Sequence, residues 1–511
     1  MLSLGHIALG MAVASPPVRT IMKFGGSSVR DAERISEVCK LVQDQIKLGQ
    51  KPHLVCSAMG STTNNLLAAA DQALYDGTVN LDSVRSLHIE TAKTLKLEDS
   101  PYVEDCLKLI DECERTLEGV AMLGELSART RDRVVSYGER CSGRMVAACL
   151  NSFGQPAVQI ESWDLGVQTC STFGDAMVLD ESWPIIKKEV AKIPDGTVGV
   201  ITGFIGKDVD GAITTLGRGG SDLTASLVGA AAEYDEVQVW KDVDGILTAD
   251  PRVCENALPV PRVSYTEAAE LAYFGAKVLH PVAMQPAVRT QMPVRVKNSY
   301  NPSAEGTLIT ADWNEKGLVS AITAKSNICM IDISSTRMLG AYGFLSFVFE
   351  SFARHRLSVD VVATSEVSVS LTLNKNVDIL SKVQMQEANV EWALGVEDEA
   401  LRGVLQDLSP VANIDIKADR SIVTLIANVE KSSNVLAVVF QVLTELGVQV
   451  EMLSQGASKV NISLVVPGDR EKEVIKALHS CFFEDECMVY FDKEDCDVAI
   501  AGAEEAKTLA A

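Results

Sequence analysis

Residues 21–29 read IMKFGGSSV, an apolar strand that ends in two glycines and runs towards a helix introduced by Asp31. Four apolar residues behind it recur at helical spacing: Ile35, Val38, Val42 and Ile46. Glycines at such a junction let backbone N–H groups approach phosphate oxygens, the helix N-terminus favours negative charge, and Lys23 supplies a positive charge. Taken alone, the motif is equally compatible with phosphate binding and with an ordinary strand-to-helix turn.

Residues 216–222 read LGRGGSD and form a second glycine-rich, basic loop, again between a predicted strand and a predicted helix. Two such loops in one domain are difficult to explain by packing, so together they favour phosphate handling. The alternative for Asp222 is a purely structural role as the N-cap of the helix, which aspartate often provides.

The chain from residue 20 to about residue 306 alternates short apolar runs with helical periodicity. The predicted strands include residues 21–24, 53–56, 197–204 and 237–243. Between the second and third of these strands, residues 83–151 have the pattern of helices. Strands that alternate with helices predict an α/β domain whose mainly parallel sheet is covered on both faces.

The rhythm changes after residues 298–306, where two related blocks of about 45 residues follow, 328–373 and 422–466. Each block has a strand, an amphipathic helix and two further strands. The predicted helix and following strands are 344–356, 358–363 and 367–373 in the first block and 435–446, 448–453 and 460–466 in the second. This β-α-β-β order, completed by a further helix and strand, is the ferredoxin-like plan, and a tandem pair favours small regulatory domains over a second enzyme.

The composition argues against several classes of protein. With 46 basic and 69 acidic residues the formal net charge is −23, which repels nucleic acids and anionic membranes. No apolar run approaches the roughly 20 residues that span a bilayer. The twelve cysteines form no CxxC pair, so we expect buried free thiols in a reducing compartment. The six histidines lack metal-ligand spacing, and we expect no protein-held metal.

Five motifs follow one another in a characteristic order: KFGGSSV (23–29), FIG (204–206), LGRGGSD (216–222), WKDVDG with DPR (240–252) and FGAKVLHP (274–281). Together they resemble the aspartate kinases of the amino acid kinase superfamily, over about residues 21–466. Related kinases that act on N-acetylglutamate, glutamate, carbamate or UMP share the loops but neither FGAKVLHP nor a tandem ACT-type tail. The sequence is most similar to monofunctional plant and algal enzymes, which implies a plastid location, or a cytoplasmic one for another source.

The resemblance implies a division into a tail or transit-peptide remnant at 1–19, a kinase domain at 20–310, ACT-like regulatory domains at 311–413 and 414–490, and a C-terminal tail at 491–511. The first thirty residues contain no Asp or Glu, as in many transit peptides, but a frayed N-terminus is equally compatible. ACT-type units pair through their sheets, so the resemblance also implies a homodimer or a larger homo-oligomer.

The resemblance further implies roles for single residues. Lys23 would neutralise the transferring phosphate, and Asp222 would orient the nucleotide end of the site. The other residues implied to contact ATP and its phosphates are Gly25, Gly26, Ser27, Lys241, Asp242, Asp250, Arg252 and Lys277. Those implied to hold aspartate are Ser57, Thr63, Glu139, Phe204, Arg218 and Ser221. Position 27 usually carries threonine in bacterial relatives, and serine keeps the hydroxyl.

The chemistry fits these roles. A carboxylate with a pKa near about 4 is ionised at neutral pH, so its phosphorylation needs positioning and charge neutralisation but no general base. The cofactor would be MgATP, with Mg²⁺ carried mainly by ATP oxygens and water. N-acetylglutamate is the alternative substrate, but its acylated amine would leave Glu139 unpaired. A catalytically inactive amino-acid sensor is the other alternative, and the intact Lys23, Arg218 and Asp222 argue against it.

The first ACT-like block resembles the lysine-sensing site of the family. The residues implied to contact the effector are Met338, Gly343, Phe344, Leu345, Asp360 and Ser365. Gly343 would free the backbone at a helix start for the carboxylate of the effector, and Asp360 would meet its ammonium group. We expect the side chains of Phe344, Leu345 and Val359 to be core residues whether or not an effector binds.

Overall fold

The computed structural model describes residues 18–275, 279–311, 317–335, 342–365, 367–374, 398–455 and 460–484. The chain forms two units. The first unit comprises Met1–Asp242 with Val282–Pro302, and the second comprises Val243–Pro281 with Ser303–Ala511.

The secondary structure follows the predicted alternation. The strands are β1 (Arg19–Phe24), β2 (Lys51–Cys56), β3 (Ala157–Ile160), β4 (Gln168–Thr169), β5 (Val198–Thr202), β6 (Ile205–Asp208), β7 (Ile213–Thr215), β8 (Glu236–Lys241), β9 (Arg262–Ser264), β10 (Val294–Asn298), β11 (Thr307–Thr310), β12 (Val319–Ser334), β13 (Val359–Thr364), β14 (Ser368–Leu373), β15 (Asn413–Ala427), β16 (Met452–Ser454) and β17 (Asn461–Pro467). The helices are α1 (Ala32–Lys47), α2 (Thr62–Asp76), α3 (Asp82–Thr94), α4 (Pro101–Leu123), α5 (Ala128–Ser152), α6 (Ser182–Val190), α7 (Gly220–Ala231), α8 (Tyr265–Tyr273), α9 (Pro281–Thr290), α10 (Phe344–Arg354), α11 (Glu399–Leu408), α12 (Ser432–Glu445) and α13 (Glu471–Phe483).

A parallel sheet with the strand order β3-β5-β2-β1-β8-β10 forms the centre of the first unit. Near its middle, β1 is buried from Thr20 to Phe24, and Ile21, Met22 and Phe24 are fully buried. Strands buried on both faces in this way are typical of sheets covered by helices on both sides. The predicted parallel α/β sheet is therefore confirmed.

The helices of the first unit are stabilised by the capping and apolar residues from which they were predicted. Asp31 caps α1, its Oδ1 accepting a hydrogen bond of 2.9 Å from the Arg34 backbone N–H. The predicted apolar stripe of α1 is buried at Ile35, Val38 and Val42 and packs into the same core as α2 to α5. A small sheet in the order β4-β6-β7 completes the unit.

A six-stranded antiparallel sheet with the order β13-β14-β12-β15-β17-β16 dominates the second unit. The long strands β12 and β15 pair along their whole length, and the register shifts between Lys325 and Met330. Residues 328–334 of β12 pair with residues 413–420 of β15, whereas residues 319–325 pair with residues 422–427. The sheet therefore has two halves that share these two strands.

Each half of this sheet has the ferredoxin-like composition. The first half combines the C-terminal part of β12 with α10, β13, β14, α11 and the N-terminal part of β15. The second half combines the C-terminal part of β15 with α12, β16, β17 and α13, and its remaining strand is residues 319–325, from upstream of the first half. The predicted fold class is confirmed, while the bounds of the predicted domains remain a prediction.

Two expectations from the composition concern the cysteines and membrane-spanning segments. The cysteines found as free thiols are Cys39, Cys56, Cys106, Cys113, Cys141, Cys149, Cys170, Cys254 and Cys329, all buried except Cys170. Cys481 of α13 is disulfide-bonded, so the expectation of free thiols is wrong for this residue. No helix among the described residues is long and apolar enough to cross a membrane.

Candidate active site and effector site

Four predicted site segments lie at the carboxyl ends of neighbouring strands in the first unit. The glycine loop follows β1, Ser57 follows β2, Phe204 lies just beyond β5, and Lys241 ends β8. These strands are adjacent and parallel in the order β5-β2-β1-β8, so the segments share one edge of the sheet. Open α/β sheets bind their ligands at this edge.

The centre of this edge is the buried carboxylate of Asp222, which lies between two ammonium groups. The Nζ atom of Lys23 is 2.6 Å from Oδ1 of Asp222, and the Nζ atom of Lys241 is 3.6 Å from Oδ2. Burial favours the neutral acid, but the two ammonium groups outweigh it and hold the pKa of Asp222 below its ordinary value. The three groups leave one positive charge uncompensated, which suits an anionic phosphate.

Asp222 lies in the first turn of α7, whereas the N-cap of this helix is Gly219 with a left-handed backbone, φ 76°. The alternative that Asp222 serves only as the N-cap is therefore wrong. Burial, together with the nearby Lys23 charge, lowers the pKa of Lys241, and Asp222 opposes this effect. Asp222 and Lys241 thus each favour the charged form of the other.

The glycine loop passes close to neighbouring backbone. A Cβ atom on Gly26 would lie 2.9 Å from the carbonyl oxygen of Ala58, so only glycine fits without a shift. The loop continues as a 3-10 turn in which Ser27 is exposed and Ser28 is buried, with the Ser28 hydroxyl 2.9 Å from that of Ser299. The loop leaves its backbone and the Ser27 hydroxyl accessible beside Lys23.

Two hydroxyl groups predicted to hold aspartate are in direct contact, because the Ser57 hydroxyl donates to Oγ of Ser221 at 2.9 Å. A Cβ atom on Gly203 would lie 2.7 Å from the Cβ atom of Ser221. The adjacent Phe204 has a left-handed backbone with φ 70°, which is costly for a residue with a side chain. Its N–H donates to the Thr224 hydroxyl at 3.1 Å, and this bond helps to hold the strained turn.

Glu139, in the middle of α5, is almost fully buried and forms no ion pair with any residue that the structure describes. Its Oε1 accepts a hydrogen bond of 3.3 Å from the Ala58 N–H, and its buried Oε2 has no hydrogen-bond partner among the described residues. Burial raises the pKa of Glu139 from its ordinary value to about 8. A buried acid with an unsatisfied oxygen is suited to bind an ammonium group.

The remaining predicted residues of the first unit form no hydrogen bond or ion pair with the described residues of these clusters, although the charge of Asp242 favours the charged form of Lys241. Thr63 is half-buried in α2, and Asp242 and Arg218 are exposed. Arg218 forms no ion pair with any residue that the structure describes. Its guanidinium is therefore available to a ligand carboxylate.

The other predicted ATP residues belong to the second unit or lie outside the described residues. Asp250 and Arg252 pair with one another, with Nη2 of Arg252 2.6 Å from Oδ2 of Asp250, and the Arg252 side chain is exposed. Lys277 lies outside the described residues.

The chain is similar to known protein families and to individual known proteins. Residues 18–298 match the amino acid kinase family, and residues 423–482 match the ACT domain. Aspartokinase 3, chloroplastic, of Arabidopsis thaliana is 46% identical over 474 residues, which cover 91% of this chain and 81% of that relative. The chain belongs to the aspartokinases. The predicted family and aspartate kinase activity, the first step of the aspartate pathway, are confirmed.

Bacterial aspartokinases are similar along the same length. Lysine-sensitive aspartokinase 3 of Escherichia coli is 33% identical, and the match covers 91% of this chain and 99% of that relative. The crystal structure of E. coli aspartokinase III in complex with aspartate and ADP has a TM-score of 0.72 at 31% identity, covering 90% of this chain and 99% of that one. This aspartokinase therefore uses a nucleotide, as predicted.

In this aspartokinase, the acid predicted to meet an effector is already engaged within the second unit. Oδ2 of Asp360 lies 2.8 Å from Nζ of Lys325, and Oδ1 accepts a hydrogen bond of 2.8 Å from the Tyr273 hydroxyl. The Asp360 side chain is only 5% exposed. Beside it lies a cavity of about 460 Å³ whose wall includes Tyr273, Asp360 and Glu270.

The other predicted effector residues are only partly as expected. Gly343 has φ 87° and is the N-cap of α10, with open space around its Cα, as an exposed helix start requires. Phe344 packs partly against the core, but Leu345 is 39% exposed, so the expectation that its side chain is a core residue is wrong. Leu345 is on the outer face of α10. The hydroxyl of Ser365 lies 2.7 Å from that of Ser368, and Met338 lies outside the described residues.

Sequence reasoning did not find Lys325 or Tyr273. Lys325 precedes Asp360 by 35 residues, and Tyr273 precedes it by 87. No local pattern connects such distant residues. The one available signal was that Tyr273 directly precedes the FGAKVLHP motif.

A buried cluster of soft donors was also not anticipated. The side-chain donor atoms of His88, Cys106 and Cys141 all lie within 4.8 Å of one another in the core of the first unit. Burial lowers the pKa of His88, while the hydrogen bond with Cys141, and then burial, raises the pKa of the Cys106 thiol. Neutral thiols suit core packing better than metal binding. The absence of a protein-held metal remains a prediction.

Proposed function

We propose that the Asp222 cluster is the phosphoryl-transfer centre of this aspartokinase, with ATP and L-aspartate as its substrates. The observation that carries the proposal is that two lysines, the buried Lys23 and the partly buried Lys241, share one carboxylate at the sheet edge where ligands bind. The E. coli aspartokinase III structure in complex with aspartate and ADP supports the same substrate pair.

The reaction needs no general base. A β-carboxylate oxygen of aspartate attacks the γ-phosphorus of ATP, the new O–P bond forms as the bond to the β–γ bridging oxygen breaks, and ADP leaves. The two ammonium groups neutralise charge on the transferring phosphoryl group, and Asp222 holds them in place. Gly25 and Gly26 bring backbone close to the phosphates.

Aspartate is recognised by charge at its two ends. Glu139 accepts the α-ammonium group with its unsatisfied Oε2, and this contact compensates the cost of burying the acid. Arg218 binds a carboxylate bidentately, and the hydroxyls of Ser57 and Ser221 orient the substrate. N-acetylglutamate carries no ammonium group and would leave Glu139 unpaired.

We propose that Mg²⁺ arrives with ATP. Asp222 is already matched by two ammonium groups, and no cluster of carboxylates that could hold a cation occurs among the described residues. The acids that the structure describes therefore do not fit a dedicated magnesium cage, and no step above depends on one. Mg²⁺ bound to ATP would neutralise part of the phosphate charge.

We propose further that an amino acid, L-lysine, regulates the enzyme through the first half of the antiparallel sheet. The supporting relatives are the lysine-sensitive aspartokinase 3 of E. coli and the crystal structure of E. coli aspartokinase III with lysine and aspartate. Gly343 offers backbone to the effector carboxylate, and Asp360 meets the effector ammonium group by exchanging its contact with Lys325.

We also propose a homo-oligomer formed through the ACT-like part of the chain. Leu345 and Phe349, one helical turn apart on α10, are both 39% exposed and form an apolar stripe that a second copy could cover. Light scattering of wild type and Phe349→Glu would test the oligomeric state, since a monomeric wild type contradicts the proposal.

The chloroplastic Arabidopsis relatives support a plastid location, which a fluorescent fusion expressed in a plant cell would test.

The test of the catalytic proposal is a coupled ADP-release assay with aspartate, N-acetylaspartate and N-acetylglutamate. We expect turnover with aspartate and at least about a hundredfold lower kcat/KM with N-acetylaspartate, whose acetylated amine is uncharged and bulkier. The Glu139→Gln variant should lose the part of this discrimination that depends on the ammonium charge. Equal use of the two substrates by the wild type would remove Glu139 from the ammonium site.

A further inference from the structure

Two carbonyl groups of the glycine loop are held by backbone of the first unit. The Gly25 carbonyl accepts a hydrogen bond of 3.0 Å from the Ser28 N–H, and the Gly26 carbonyl accepts one of 3.1 Å from the Gly60 N–H. A loop that binds phosphate must present N–H groups, because carbonyl oxygens carry negative partial charge and repel an anion. Hydrogen bonds that occupy the carbonyl oxygens therefore favour a phosphate-binding shape of the loop.

The third carbonyl of the loop, that of Ser27, is held by a side chain. The hydroxyl of Tyr300 donates to it at 3.1 Å, although the two residues are 273 positions apart in the sequence. Tyr300 follows β10 closely, and 43% of its surface is exposed. Ser27 is exposed as well, so its carbonyl could turn if the hydroxyl were removed. None of the catalytic steps described above uses this tyrosine.

Arg34 of α1 holds the tyrosine ring in place. Its guanidinium carbon lies 3.6 Å from the centre of the Tyr300 ring. The Arg34 side chain is buried and forms an ion pair with Glu37. Its Nη2 donates to the Ser299 carbonyl at 2.9 Å and to the Ser299 hydroxyl at 3.1 Å. A guanidinium that stacks on an aromatic ring and binds the adjacent residue restricts the position of both residues.

Ser299 connects this segment to two parts of the proposed phosphoryl-transfer centre. Its hydroxyl donates to the Lys241 carbonyl at 2.9 Å, and its N–H donates to the same carbonyl at 2.8 Å. Because the hydroxyl proton of Ser299 is used there, its oxygen accepts from the Ser28 hydroxyl, 2.9 Å away. Residues 299–300 are therefore bonded both to the glycine loop and to the end of β8.

We propose that Tyr300 is a positioning residue for ATP binding and that Arg34 acts through it: the stacked pair holds the Ser27 carbonyl so that the glycine loop keeps its phosphate-binding shape. All of these groups belong to the first unit. In this role neither side chain needs to touch the nucleotide, and both affect the affinity for ATP rather than the recognition of aspartate. The inference rests on the proposed function of the glycine loop in binding ATP phosphates.

Four variants test the proposal. Tyr300→Phe removes the hydroxyl and keeps the ring over Arg34, whereas Arg34→Lys keeps the charge and loses the planar group that stacks on the ring. Tyr75→Phe makes the same change at an exposed tyrosine of α2 and is the matched control. Gly25→Ala tests the loop itself. Gly25 has φ −78°, which alanine adopts without strain, and the added Cβ atom would lie 3.6 Å from Nζ of Lys23.

The measurements are KM for ATP, KM for aspartate, kcat and melting temperature of each full-length variant, with the dissociation constant of MgADP from calorimetry. We expect Tyr300→Phe to raise KM for ATP and the MgADP dissociation constant about threefold or more, while KM for aspartate stays within about twofold. Its melting temperature should stay near that of wild type, because the stacked ring remains. Tyr75→Phe should match wild type in every measurement.

The double variant tests whether Arg34 acts through Tyr300. Arg34→Lys should raise the same two nucleotide constants, and Arg34→Lys/Tyr300→Phe should be no weaker in nucleotide binding than the more affected single variant, because both changes release the same carbonyl. Effects that add fully would overturn the action of Arg34 through Tyr300. Tyr300→Phe alone serves as the readout if Arg34→Lys does not fold.

Gly25→Ala separates the two levels of the proposal. If it leaves KM for ATP and the MgADP dissociation constant unchanged, the phosphate role of the loop fails and the inference fails with it. If Gly25→Ala raises both constants but Tyr300→Phe does not, only the inference is overturned. Tyr300 and Arg34 variants that lower melting temperature and kcat with all binding constants unchanged would leave these residues a folding role alone and also overturn it.

Discussion

The ammonium group of Lys325 lies 2.8 Å from the carboxylate of Asp360, and both side chains are largely shielded from water, at 14% and 5% exposure. Nζ of Lys325 also lies 4.8 Å from the ring centre of Tyr273, whose hydroxyl binds the other Asp360 oxygen. The acid proposed to sense an amino-acid effector therefore holds an ammonium group of its own chain. An effector ammonium must replace that partner, and the difference between the two states sets the response.

Replacing Asp360 should weaken lysine inhibition. A charge-assisted contact worth about 1.5–3 kcal/mol corresponds to a roughly tenfold to hundredfold rise in the inhibitory lysine concentration for Asp360→Ala. Asp360→Ala also leaves Lys325 buried without its partner, at a cost of about 3–5 kcal/mol in the free energy of unfolding. Asp360→Asn is the matched variant, since its amide oxygen can still accept from Lys325. Lysine titrations at fixed aspartate give the result, and identical inhibition curves would remove Asp360 from the mechanism.

Replacing Lys325 should strengthen lysine inhibition. Lys325→Met keeps the length of the side chain and removes the internal competitor for Asp360, so we expect the inhibitory lysine concentration to fall by about threefold or more. Catalysis without lysine should change little. The double variant Lys325→Met/Asp360→Asn is the control and should lose the increased sensitivity to lysine. A higher inhibitory concentration in Lys325→Met would mean that Lys325 supports the effector site instead of competing for it.

Lys23→Ala should lower kcat by at least about a hundredfold, because it removes charge that is needed most in the transition state. The ion pair with Asp222 adds a second effect: the variant leaves a buried carboxylate with Lys241 as its remaining partner, so we also expect a lower melting temperature. Lys23→Ala/Asp222→Asn should recover stability without recovering activity. The kinetic role of Lys23 is refuted if kcat is unchanged in a folded variant.

Glu139 should make aspartate binding depend on pH. Burial raises its pKa in the folded enzyme from 4.5 to about 8, so the free enzyme holds this proton at neutral pH. Because the folded pKa is the higher one, this acid lowers stability progressively as pH rises from its unfolded pKa to its folded pKa. An aspartate ammonium favours the ionised form, so KM for aspartate should fall about threefold or more between about pH 6 and pH 8.

The matched variant for this pH effect is Glu139→Gln, which cannot ionise. It should raise KM for aspartate much more than KM for ATP and should flatten the pH dependence. The profile is measured at saturating ATP, so that titration of the nucleotide does not contribute. A pH dependence that persists unchanged in Glu139→Gln would assign it to another group.

The sequence by itself determined the local chemistry of this protein. Three features depend only on residues that are close together in the sequence, so they can be predicted from it. They are the glycines after apolar strands, the helical spacing behind Asp31 and the ferredoxin-like order of the two blocks. The ordered motifs, from KFGGSSV to FGAKVLHP, identified the family because their combination, order and spacing along the chain are specific to it. The placement of Lys23, Ser57, Phe204 and Lys241 at strand ends followed from the predicted strands.

Only the tertiary structure decided which of these segments meet. Lys23, Asp222 and Lys241 share a cluster because β1 and β8 are neighbours, and strand order is not encoded in local periodicity. Residues 319–325 also pair with the second half of the antiparallel sheet although they precede the first half in the sequence, and local patterns do not predict this pairing. The partners of Asp360 and Ser299 come from distant parts of the chain, since burying a charged or polar side chain requires a partner but does not specify its position in the sequence.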